Sequence, residues 1–168
     1  MRGAPARRLL VSASLTLKLL HYVLQAAMGW EDSIGRKRFG EPNPEAKLMG
    51  RPGICAESTA RLCNVLGKAG SKAVYTYDFG DDWAHEVVVE EVLPPTLGQA
   101  YPVCEAGERH APPEDCGGVP GLYNLLNAIG DPQHEEHGEM LDWLGDDFDP
   151  AAFSVDEVNR GLAYLQRS

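Results

Sequence analysis

The stretch that most limits the fold is YTYDFGDDWAHEVVVEE, residues 75–91. Two runs rich in Tyr, Phe, Trp and Val flank Gly80, Asp81 and Asp82, the glycine and aspartate chemistry that reverses a chain, so the stretch reads as a β-hairpin. A three-residue loop is the simplest register, and it pairs Phe79 with Trp83, Tyr77 with His85 and Tyr75 with Val87. Strand alternation then places these six and Val89 on one face. Thr76, Asp78, Ala84, Glu86, Val88 and Glu90 fall on the other, which is expected to be wet. His85 is thereby set among aromatic rings rather than carboxylates.

Upstream, residues 7–11 (RRLLV) read as a short strand. From Thr16 the period becomes helical: Leu17, Leu20, Leu24 and Ala27 form one stripe, Val23 and Met28 flank it, and Gly29 supplies the stop. His21, on the side of that helix, is read as a surface or boundary histidine. Trp30 is expected to close over the helix end. Residues 31–57 hold Pro42, Pro44 and Pro52 and read as a loop, long for a small domain. Residues 59–66 give a short helix in which Cys63, among Leu62, Val65 and Leu66, is expected to be a buried inert thiol.

Downstream of the hairpin, the Pro/Gly-rich segment 94–121 is expected to be neither strand nor helix. The remainder reads as helical. Residues 122–129 form one helix stopped by Gly130, and Asp131 as N-cap with Pro132 starts a second that runs to about Leu144. Ser154 with Glu157 makes a capping box for a last helix whose stripe is Val155, Val158, Leu162 and Leu165.

The length, 168 residues, suits one domain over residues 1–168, and no apolar run reaches the roughly 18 residues of a membrane span. Arg2, Arg7 and Arg8 precede the apolar run 9–17, but Ser12, Ser14, Thr16 and Lys18 interrupt it, so export is not expected. The net charge of −10 is uneven: residues 1–76 carry 12 Lys/Arg against 5 Asp/Glu, and residues 77–168 carry 3 against 20. An acidic half suits a basic protein surface or the chain's own basic half, and it disfavours nucleic acid. Four widely spaced cysteines, Cys55, Cys63, Cys104 and Cys116, fit a reducing, cytoplasmic setting rather than a disulfide scaffold.

Two chemistries are open at the hairpin and the loop behind it. Cys104, Cys116, His110 and His85 are thiol and imidazole, the ligand types zinc prefers, although the two cysteines stand twelve apart rather than in a C-x2-4-C pair. Asp78, Asp81, Asp82, Glu114 and Asp115 could supply a general acid and base or bind a divalent cation, with Tyr77, Trp83 and His85 as the floor of the site. The structural alternative has Cys104 packing, Glu114 and Asp115 capping the next turn, and Gly117 and Gly118 allowing positive φ. The HEEH run at residues 134–137 has its histidines three apart, not four, so it is no metalloprotease helix. Neither a nucleophile elbow nor a phosphate-binding loop is present.

MGWEDS at 28–33, YDFGDDWAHEV at 77–87, CEAGERHAPPEDCGG at 104–118 followed by Gly121 and Tyr123, and DWLGDDFDPAAF at 142–153 come in that order. Together they resemble the pRiA-plasmid ORF-three-like family, small bacterial and archaeal proteins also labelled TnpR-like passengers of insertion elements. The resemblance spans residues 7–162. It implies an α+β domain with a mainly antiparallel sheet and a central hairpin, packed by an N-terminal helix and C-terminal helices, and it implies no particular activity. The resolvase sense of the TnpR label is not adopted, because no serine nucleophile with an arginine cluster is found. Family members continue past the GW-x-x-S segment into a strand of SHLHxFxI type. Here Ser33 passes directly to IGRKRFG, so one strand is expected to be missing after Ser33. The function expected is that of a non-enzymatic cytoplasmic accessory or protein-interaction domain of plasmids and mobile elements. The alternative is a metal-dependent enzyme, using zinc or another divalent cation, with its site at the hairpin and Cys/Pro loop.

Overall fold

The structure, a computed structural model, describes residues 4–30, 59–77, 80–145 and 148–167. The long loop 31–57, the strand expected to be missing after Ser33, and Asp78 and Phe79 of the hairpin lie outside the described residues. The element order is β1 (Ala6–Leu10), α1 (Leu17–Met28), α2 (Leu62–Val65), β2 (Lys72–Tyr77), β3 (Trp83–Val88), β4 (Val103–Glu108), α3 (Gly118–Gly130), α4 (His137–Leu144) and α5 (Val155–Leu162), with a closing 3-10 turn Leu165–Arg167. The fold is α+β, and among the described residues the strands form two two-stranded antiparallel sheets, β1–β4 and β2–β3. Among the described residues no helix is long and apolar enough to cross a membrane.

Helix α1 starts and stops by local chemistry. The Thr16 hydroxyl accepts from the Leu19 amide, and Gly29 adopts φ 71. The Gly29 amide donates to the Ala26 carbonyl and the Trp30 amide to the Gln25 carbonyl, the paired bonds of a Schellman end. Val23 and Ala27, four apart on one face, are buried, so Val23 belongs to the core-facing line and not to its flank; Gln25 is buried on a different side of the helix.

The main apolar cluster joins α1, β4 and α5 through Val23, Cys104 and Leu162, with Leu9, Val11, Leu15, Ala26, Phe153, Val158 and Leu165 packed around them. β4 corrects the expectation that segment 94–121 holds no strand. Val103–Glu108 pairs with β1, Leu9 opposite Cys104 and Arg8 opposite Ala106, which leaves Glu105 as a bulge. On the other side of Cys104, α5 supplies the partner for its backbone. The Asn159 side chain accepts from the Cys104 amide at 2.8 Å and donates to the Cys104 carbonyl at 2.9 Å. Half-buried Arg7 ties the end of α1 to this sheet: its Nε donates to the Ala27 carbonyl at 3.0 Å, its Nη1 to the Glu108 carbonyl at 3.0 Å, and its guanidinium lies 4.6 Å from the Phe153 ring centre.

Three further expectations are corrected. The hairpin pairs Tyr77 with Trp83 and Tyr75 with His85, two residues out of the predicted register. A shift of two keeps every side chain on its predicted face, and Ala84, Glu86 and Val88 are exposed. Cys63 is exposed: α2 is a single turn buried at Leu62, with its C-cap Leu66, four residues on, also buried, and Cys63 and Val65 point away from that line. Helix α4 begins at His137, not at Pro132. The Asp131 carboxylate and the His134 ring accept from the amides of Gln133 and Glu136, which makes turns of residues 131–136, and His137 Nδ1 meets the Ala128 carbonyl at 2.8 Å.

Candidate functional site

The Schellman end of α1 decides what covers the hairpin. With Gly29 left-handed, Trp30 turns back onto the inner face of β2 and β3. Its ring stacks on Tyr77 with centroids 4.6 Å apart and 17° between the planes, meets His85 edge-on at 5.3 Å, and lies 6.3 Å from Trp83. Trp30 and Trp83 are only 6% and 8% exposed. The Trp30 indole donates to the Pro112 carbonyl at 2.8 Å, which fastens the loop behind the hairpin to the same stack. Tyr77 donates its hydroxyl to Glu114 at 3.0 Å, so Glu114 braces the hairpin.

Beside the stack lies a polar row that sequence patterning did not reveal. Gln25 Nε2 donates to the Tyr75 hydroxyl at 2.7 Å, and that hydroxyl lies 2.7 Å from His21 Nδ1. The Gln25 side-chain oxygen is buried and has no hydrogen-bond partner among the described residues.

His85 sits between Trp30 and Tyr75, its Nδ1 3.2 Å from the Trp83 carbonyl. Burial holds its pKa below the ordinary histidine value of 6.5, against the raising effect of hydrogen bonds with the Tyr75 and Trp83 backbone. The folded state therefore binds fewer protons at His85 than the unfolded chain does. Its contribution to stability is complete above about pH 6.5 and is lost as the pH falls from there through the depressed folded value. Urea titrations across this window are expected to show a steeper loss of stability on acidification for the wild type than for His85→Gln. Parallel curves would contradict the assignment.

At the hairpin tip, Asp81 accepts from the Gly117 amide at 3.1 Å, and the Asp81 carbonyl packs against Gly118, whose φ is 65. A Cβ at Gly118 would collide with that carbonyl, so the contact admits only glycine. Asp82 and Asp115, with φ 53 and 56, are exposed turn residues. Burial, with Asp81 and then Asp115 adding to it, pushes the Cys116 thiol up to about 11. Burial likewise raises Cys104, whose thiol lies 3.4 Å from the Ala106 carbonyl. Alkylation mapped by peptide mass spectrometry at mildly alkaline pH is expected to label exposed Cys63 well before Cys116, whose thiol is part-buried and raised in pKa. Equal labelling of the two would contradict this geometry.

The four residues considered as zinc ligands stand in four environments. Cys104 is in the core with Val23 and Leu162, and Cys116 is at the hairpin tip. His85 lies under Trp30, and His110 sits against Phe148 with its Nδ1 2.7 Å from the Ala111 carbonyl. Among the described residues no three of His, Cys, Asp and Glu are grouped so as to hold a metal ion. What the fold does gather is Tyr77, Trp83, His85 and Glu114 around Trp30, and Asp81 with Cys116 at the tip. Asp78 lies outside the described residues.

Comparison with known proteins agrees with this architecture. The profile of a family described as plasmid pRiA4b ORF-3-like protein matches residues 4–157. An uncharacterised protein of Sinorhizobium fredii, y4hQ, is 36% identical over 163 residues, covering 93% of this chain and 82% of its own. The crystal structure of a protein of unknown function from Methanosarcina mazei Go1, MM3350, superposes with a TM-score of 0.75 at 34% identity, covering 91% of this chain and 93% of that one.

Proposed function

This chain belongs to the plasmid pRiA4b ORF-3-like family, and from that premise we propose that it is an accessory domain, one unit over residues 1–168, that acts by binding another protein rather than by catalysing a reaction. The observation that carries this reading is the closed inner face of the hairpin, where Trp30 stacks on Tyr77 and holds the Pro112 carbonyl. Side chains with chemical capability are engaged in structural contacts: Tyr77 with Glu114 and Asp81 with the Gly117 amide tie the hairpin to the loop behind it, and the His110 ring meets the Ala111 carbonyl within that loop. The acidic half, 3 Lys/Arg against 20 Asp/Glu over residues 77–168, favours a basic protein surface and disfavours nucleic acid. Free thiols at Cys63, Cys104 and Cys116 suit a reducing, cytoplasmic setting.

A broad hydrolase screen combined with metal analysis of untagged protein tests the reading. The expected result is no turnover that depends on His85 or Glu114, and zinc well below one equivalent. Turnover abolished by Glu114→Gln or His85→Asn would overturn it. So would a full equivalent of zinc released by Cys104→Ser or Cys116→Ser, which would restore the metal-dependent enzyme.

A further inference from the structure

A second feature lies away from the hairpin. A cleft of about 360 Å³ is lined by His110 and Pro113 from the loop after β4, Trp143 and Leu144 from the end of α4, and Phe148. Its walls are held in place: the His110 amide donates to the Pro150 carbonyl at 3.2 Å, its ring is tied to the Ala111 carbonyl, and the same ring meets Phe148 edge-on at 5.0 Å. Trp143 is 50% exposed, in contrast to the buried Trp30 and Trp83. A half-exposed indole beside a fixed aromatic wall is the residue type and setting from which binding hot spots are made.

The charge around the cleft indicates what it would take. Residues 110–153 contain ten Asp/Glu and no Lys or Arg, and the nearest cation in sequence is Arg109 at its edge. Asp142 precedes Trp143, Glu114 and Asp115 follow Pro113, and Asp149 follows Phe148. A slot walled by Trp143, Leu144, Phe148 and Pro113, with acidic residues next to them in sequence, complements a cationic segment that carries a large apolar side chain, and it disfavours phosphate backbones and anionic membrane surfaces.

We propose that this cleft is the docking site for a basic protein segment that inserts one Leu or Phe side chain against Trp143 and Phe148 and sets its Lys and Arg residues over the flanking carboxylates. The proposal rests on the accessory-domain reading and adds to it the partner's chemistry. The probe is a synthetic peptide of about a dozen residues, rich in Lys and Arg around a central Leu-Phe pair. Calorimetry at low and physiological salt follows binding, and amide and indole NMR locates it. Saturable binding is expected, weakened by salt, about tenfold weaker with Trp143→Ser or with Asp142→Asn plus Asp149→Asn, and lost when the central pair is Ser-Ser. The Trp143 indole signal is expected to shift while that of Trp30 does not.

Peptide binding undiminished by Trp143→Ser, or equal binding of the Ser-Ser or a Glu-rich control, would overturn the cleft assignment while leaving the accessory-domain reading in place. Self-association of the protein that Trp143→Ser abolishes would also overturn it, because the occupant would then be the basic half of a second copy. Turnover dependent on His85 or Glu114 would remove the reading beneath both.

Discussion

Trp30→Ala is expected to remove about 3–5 kcal/mol of folding stability, the range for truncating a buried tryptophan. Three losses combine at this position: the stack on Tyr77, the edge contact with His85, and the indole bond to the Pro112 carbonyl. For a domain with a total of about 5–15 kcal/mol, such a loss leaves little folded protein under mild denaturant. Trp30→Phe separates the contributions. It keeps a ring on Tyr77 but leaves the Pro112 carbonyl without its donor, for which about 1–3 kcal/mol is expected. Trp143→Ala is the internal control: at 50% exposure it should change stability by no more than about 0.5 kcal/mol. Urea midpoints of the three variants check the order, and a Trp30→Ala midpoint near wild type would contradict the packing described here.

Asn159→Leu is the second large effect. The Asn159 amide satisfies both the N–H and the C=O of Cys104, next to the Glu105 bulge in the β1–β4 pairing. Leucine fills a similar volume but leaves two partly buried backbone groups without partners, so a loss of about 2–4 kcal/mol is expected. Asn159→Asp keeps an acceptor for the Cys104 amide and puts a carboxylate against its carbonyl, so it should be impaired as well. Hydrogen exchange offers a local readout: the Cys104 amide should lose protection in both variants before the β2–β3 hairpin does. Uniform loss across the chain would indicate that Asn159 acts only through global stability.

Local chemistry made the hairpin, α1 and α5 legible in the sequence. Their turn residues, the Thr16 and Ser154 caps and the Gly29 stop all act within a few residues of one another. The hairpin's register was out by two, yet its inner face was assigned correctly, because strand faces repeat every two residues. β4 was not legible. VCEAGE has one β-branched residue and a glycine, and it becomes a strand only by pairing with β1, about a hundred residues earlier. Asn159 and Gln25 left no trace in periodicity, because each acts by reaching a group distant in sequence. Ligand types alone suggested a zinc centre from Cys104, Cys116, His110 and His85. Without ligand spacing, nothing in the sequence could say whether the chain brings them together, and the fold spreads them from the core to the hairpin tip. The cleft at Trp143 was likewise hidden, because its walls, His110 with Pro113 and Trp143 to Phe148, come from segments far apart in sequence.

The most direct test of the central claim, a closed hairpin face and a binding surface elsewhere, is indole N–H exchange followed by NMR for the three tryptophans. The account predicts slow exchange at Trp30, bonded to the Pro112 carbonyl, slow exchange at buried Trp83, and rapid exchange at Trp143, with only Trp143 responding to the basic peptide. Rapid exchange at Trp30 would contradict it, since the inner hairpin face would then be open to solvent and available as an active site.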